Sequence, residues 1–271
     1  MNSIQIGLLV VSAVVAALLA LVQVRRPRER AAQFTVVFLF FFAVLAGLSH
    51  FFAYPPLNVW YQRRQIEPAL AKMPLLETLK QYDAPTYAKL DGEIHQSFRQ
   101  GEDQAQVLNQ LRHRLDALVR TRLPRASDAA AIAYISARNA ALMQLGKQAP
   151  ALCLQLLVSP PGDALEARRH LSAAIRQANV SAGVEVIKSS ARDPQSVPSE
   201  SEVSSLLNAV YMGLAHRYGS DLSMLQHPNA PGVDPAKLCT MTGQLYANVL
   251  RLPSEHRGRI LRFILAQDSK H

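Results

Sequence analysis

The densest group of reactive side chains in this sequence is His216-Arg217-Tyr218-Gly219-Ser220-Asp221. A histidine within reach of an aspartate and a serine can move protons. His216, Ser220 and Asp221 are therefore the candidate catalytic residues, and an envelope hydrolase is the enzymatic alternative they suggest. Each residue also has a simpler explanation. The group follows the most regular apolar periodicity in the chain, where His216 and Arg217 complement a helix C-terminal dipole and Gly219 ends the helix. Helix-end chemistry accounts for all of them, so no catalytic role is assigned.

Other constellations are missing from the sequence. The 8 histidines stand singly, and there is no H-E-x-x-H, C-x-x-C or EF-hand spacing, so neither a metal nor a cofactor is expected. A G-x-S-x-G elbow and the glycine-rich phosphate loops are also lacking. The charge balance is 29 Lys+Arg against 20 Asp+Glu, and residues 54–271 hold 25 and 19 of these. That is mildly basic, which suits anionic lipid and falls short of a nucleic-acid signature. The densest basic run is His256, Arg257, Arg259 and Arg262, in which Arg259 and Arg262 share a helical face. It is the candidate contact with acidic headgroups or a protein partner.

Cys153 and Cys239 are the only cysteines. In an oxidising compartment they pair readily, and otherwise they are two small buried thiols. A disulfide is expected, and it depends on which side of a membrane the residues occupy.

That question turns on the first 53 residues. Two uncharged apolar runs, about 4–24 and 34–53, each have roughly the 20 residues a helix needs to cross a bilayer. The turn between them, 25–33, carries Arg25, Arg26, Arg28 and Arg30, which are expected to stay cytoplasmic. Arg63 and Arg64 argue for the opposite orientation, but they are fewer and Glu67 follows them. A cleaved signal peptide is the rival for the first run, although its arginines follow the apolar stretch instead of preceding it. Tyr54, Trp60 and Tyr61 form an expected interfacial belt, and Pro55-Pro56 are expected to end the second helix. His50 sits one turn inside that end, where an ionisable side chain is a candidate by default and an interfacial residue by habit.

The remainder, 54–271, reads as one helix after another. Seven of the 9 phenylalanines lie between Phe34 and Phe52, so the outer domain builds its core from Leu, Ala, Val and Ile, as packed helices do. Asp83, Ser127, Ser199 with Glu202, and Asp234 are expected N-caps, as is Asp163 with Glu166 for a helix running to about Ala178 or beyond. Gly146 is expected to end the helix that begins near Asp128, and 184–187 is open between helix and strand. The fold class is thus all-α: a two-helix transmembrane hairpin followed by a multi-helix globular domain. The expected function is a membrane-anchored, non-catalytic interaction or accessory module at the outer face of the inner membrane, with its domain in the periplasm. Its expected partners are the bilayer and either another protein or a second copy of itself, with no nucleic acid. A toxin-immunity role is the remaining alternative.

Overall fold

The structure, a computed structural model, describes residues 3–23, 31–159 and 164–268, and these residues contain helices and no strand. The arginine connector (Arg25, Arg26, Arg28, Arg30) and the Asp163 cap lie outside the described residues. The chain divides into two compact units, one grouping Met1–Leu70 with Gly92–Val107, the other Ala71–Asp91 with Leu108–His271.

The first unit opens with α1 (Ser3–Gln23) and α2 (Ala31–Leu48), which pack as a hairpin. Both are long and apolar enough to cross a membrane by length and composition. On α1, Ser12, Ala16 and Ala20 are buried at four-residue spacing, so a stripe of small side chains lets α2 approach closely. Ser12 and Ser49 share a hydroxyl hydrogen bond of 3.1 Å that fixes the register of the two helices.

The expected stop at Pro55-Pro56 is not found. After α2 the backbone widens into a π-helix, Ser49–Ala53, and continues as α3 (Tyr54–Leu70). Tyr54 donates its backbone N–H to the Ser49 carbonyl, five residues back. Neither proline has an N–H to give, and a proline ring clashes with the carbonyl four residues earlier. A wider turn before them makes Pro55 and Pro56 the first turn of a new helix, where proline is tolerated. Helix α2 starts at Ala31, three residues before the expected start at Phe34.

The second unit is organised around α7 (Asp128–Gln148), whose buried Ala130, Ala131, Ala137 and Ala141 leave room for neighbours on several sides. The segments leading to it are α4 (Pro74–Tyr82), α5 (Ala84–Arg99) and α6 (Gln104–Arg122), of which residues 92–107 belong to the first unit, then a 3-10 turn, Leu123–Arg125. After it come α8 (Pro150–Val158), α9 (Leu165–Arg169) and α10 (Ala173–Arg192). The chain ends with α11 (Glu200–Tyr218), α12 (Ser223–Gln226), α13 (Pro235–Leu250) and α14 (Ser254–Asp268). Helices α10, α13 and α14 all pack on α7.

Most expected caps form. The Ser127 hydroxyl accepts from the Ala130 N–H at 3.2 Å, Asp234 caps α13, and Ser199 with Glu202 makes a complete capping box. Two expectations are corrected, and one left open is resolved. Gly146 lies inside α7, because Pro150 imposes the next start. The helix expected from Asp163 is broken into α9 and α10, because Ser172 caps a new start by accepting from the Ile175 N–H at 3.3 Å. Residues 184–187 are helical, within α10.

Candidate functional site

An apolar hairpin gives every polar side chain on it a reason to be noticed, since hydrocarbon offers that side chain no hydrogen bonds. Five such residues gather at one end of this hairpin: Gln5 and Ser12 on α1, Ser49 and His50 in the π-helix, and Tyr54 at the start of α3. A cleft of about 200 Å³ opens there, lined by Gln5, Leu8, Leu9, Ala46, Ser49, His50 and Tyr54. The His50 and Tyr54 rings stack at 5.8 Å with their planes 9° apart, while Phe51 meets His50 edge-on at 5.6 Å. The extra residue in a π-turn re-aims the side chains that follow, and such turns recur at functional sites. Here it lines Ser49 and His50 along the cleft. The sequence signalled His50 as an ionisable side chain in an apolar run and gave the π-turn only an indirect mark, the Pro55-Pro56 pair.

One step along α3 stand the belt residues. Trp60 and Tyr61 are exposed, Tyr54 is half-buried, and Arg64 lies over the Trp60 ring at 5.3 Å. That pairing places a cation on an aromatic face, a combination suited to an interface where one side is apolar and the other wet.

The candidate catalytic residues do not converge. Asp221 is held by the Lys237 ammonium at 2.7 Å, and this carboxylate raises Lys237 above its ordinary value. The Ser220 carbonyl accepts from the Ser223 hydroxyl at 2.9 Å, while the Ser220 and His216 side chains are exposed. Among the described residues no hydrogen bond joins His216 to either partner. Gly219 adopts φ +54° at the end of α11, the helix-ending role its position suggested.

The C-terminal basic run also separates. Arg259 is exposed, and His256 is half-buried beside Glu255 at 3.9 Å. Arg257 is half-buried and reaches the Leu250 carbonyl at 3.4 Å. Arg262 is only 5% exposed, so it is corrected from a surface contact to an internal tie. It donates to Asp128 at 2.7 Å, to the Ser196 carbonyl at 2.7 Å and to the Pro124 carbonyl at 3.3 Å. The face it shares with Arg259 is turned partly inward, because two backbone carbonyls and a carboxylate satisfy its guanidinium there.

Cys153 and Cys239 are joined in a disulfide with Cα atoms 6.3 Å apart, tying α8 to α13 across 86 residues of sequence. Both are buried, so the bond is structural and closed to solvent. A second cluster had no motif to announce it. Asp116 and Arg120 lie a turn apart on α6, Tyr134 and Arg138 a turn apart on α7, and Arg168 of α9 bonds Asp116 at 3.2 Å. Burial, then the Arg138 charge, pushes Arg120 below its ordinary value against the pull of Tyr134 and Asp116. Among the described residues no group of three or more His, Cys, Asp or Glu side chains is placed to hold a metal ion.

No protein-family model, curated protein or solved structure matches the chain significantly.

Proposed function

We propose that this protein is a membrane-anchored, non-catalytic helical interaction or accessory module. In this reading α1 and α2 span the inner membrane, and the helical domain works at its outer, periplasmic face. The observation that carries the reading is the surface of the hairpin. Val10, Val11, Val14, Leu18 and Val22 of α1, with Val36, Leu39, Phe40 and Val44 of α2, are all exposed. A contiguous apolar surface of this kind is unfavourable in water and at home in hydrocarbon. The Cys153–Cys239 disulfide supports an oxidising compartment for the domain. The arginines of the connector support its outward side, since Lys and Arg in short loops are retained in the cytoplasm. Commitment of Asp221 to Lys237 supports a role without catalysis at that helix end.

The test has two parts. A reporter that is active only outside the cytoplasm, fused after His271, is expected to be active, and the protein is expected to resist alkaline extraction from membranes. A pull-down from solubilised membranes is expected to recover a protein partner or a second copy. A reporter active only inside the cell sinks the orientation. A pull-down that recovers no protein and no self-association sinks the interaction role.

A further inference from the structure

Helix α3 opens with a strip that its own unit leaves uncovered. Leu57, Trp60 and Tyr61 are 42%, 56% and 39% exposed, and Arg64 is exposed beside them. Positions three, four and seven residues apart on a helix share one face. Between them Asn58, Val59, Gln62 and Arg63 are half-buried, and Ile66, further along, is buried. The strip is thus the side of α3 turned away from its neighbours.

The strip also has a height. The apolar span that contains α2 ends at Ala53, and α3 follows the π-helix without a break. Leu57 lies four residues past Ala53 and Trp60 seven, about 6 Å and about 10 Å along an axis that rises 1.5 Å per residue. The headgroup layer on each side of a bilayer is roughly 5–7 Å deep. Side chains on a helix lean toward its N-terminus, which carries the Trp60 indole back toward that layer. Arg64 leans the same way, since its guanidinium lies over the Trp60 ring, one turn nearer the span, at 5.3 Å. Among the described residues no carboxylate is paired with Arg64, and Glu67 stands a turn farther from the span. Indole and phenol rings settle where hydrocarbon gives way to water, and a guanidinium at that depth meets phosphate oxygens it can bond in pairs.

We propose that this face of α3 rests on the headgroup layer of the leaflet that α2 leaves. The Arg64 guanidinium is held there by a phospholipid phosphate, with Leu57, Trp60 and Tyr61 at the glycerol level. The contact rests on the membrane-anchored reading and deepens it, whichever side of the membrane the domain occupies. It sets the depth at which α3 leaves the bilayer.

Trp60 is the only tryptophan in the chain, so its emission reads this face alone. The full-length protein is reconstituted in vesicles of phosphatidylethanolamine and phosphatidylglycerol, whose acyl chains carry bromine either near the glycerol or near the chain end. Emission is normalised to the same protein in vesicles without bromine. Shallow bromine is expected to quench Trp60 more than deep bromine does. Arg64→Glu, at an exposed position, is expected to lose most of the shallow quenching, and Arg64→Lys, which keeps the charge, to retain it. Stronger quenching by deep bromine, or Arg64→Glu quenched as the wild type is, overturns the headgroup contact and leaves the anchor standing. So does the absence of quenching by either bromine in a protein that resists alkaline extraction, the result expected if a protein partner or a second copy covers the strip. Release of the wild type from membranes by alkaline wash overturns the anchor, and the contact with it.

Discussion

At the scale of single residues, the least replaceable positions are those whose neighbours leave no alternative. A Cβ added at Gly258 would come within 2.9 Å of the Asp128 Cα, which belongs to backbone and cannot swing aside. Gly258→Ala is therefore expected to cost about 1–3 kcal/mol through overpacking, read as a lower denaturant midpoint with an unchanged slope. Arg262 is the complementary case, a cation kept inside by three acceptors. Arg262→Met would strand the Ser196 and Pro124 carbonyls, while Asp128, still 39% exposed, can turn to water. The expected loss is about 2–3 kcal/mol, in line with hydrogen bonds to charged groups, measured by urea unfolding. Arg259→Met, on the exposed part of the same helix, is expected to change stability by less than about 0.5 kcal/mol in the same experiment.

At the scale of elements, caps do more than start helices. Asp83 accepts from the Thr86 N–H at 3.3 Å at the head of α5, and it also pairs with Arg122 near the end of α6. Burial raises its carboxyl, but the Thr86 hydrogen bonds and the Arg122 charge outweigh that and hold it below the ordinary value of 3.8. A carboxyl depressed by folding contributes stability that is full above its unfolded value and is lost as pH falls through its folded one. Wild-type stability is therefore expected to decline as pH drops below about 4, and Asp83→Asn is expected to flatten that part of the decline. A pH series of urea melts on both proteins checks this, and parallel acid limbs would remove Asp83 from the account. The π-turn shows the same principle in the hairpin, since two prolines that cannot donate decide where one helix ends and the next begins.

At the scale of the whole molecule, the disulfide ties α8 to α13, both of which pack on the central α7. Closing an 86-residue loop is worth about 4–5 kcal/mol on the chain-entropy estimate, mostly by restricting the unfolded chain. The urea midpoint is expected to fall substantially once the bond is reduced. Because both sulfurs are buried, reductant alone is expected to act slowly and to act quickly once mild denaturant opens the domain. A Cys153→Ala, Cys239→Ala protein that unfolds at the wild-type midpoint in non-reducing buffer would remove the bond from the stability account.

The sequence by itself determined the all-helical class, the two long apolar helices, most of the N-caps and the identity of the cysteine pair. These depend on local rules: periodicity, chain punctuation and the requirement that an apolar run satisfy its own backbone. Only the tertiary structure decided that Arg262 faces inward beside an exposed Arg259, that Gly258 is a glycine because the start of α7 lies against it, and that Asp221 belongs to Lys237 and not to His216. Each depends on which distant segment arrives at a given face. The π-turn stands between the two cases. Its cause, Pro55-Pro56, is written in the chain, yet whether the helix stops there or widens and continues is settled by which neighbours it can keep.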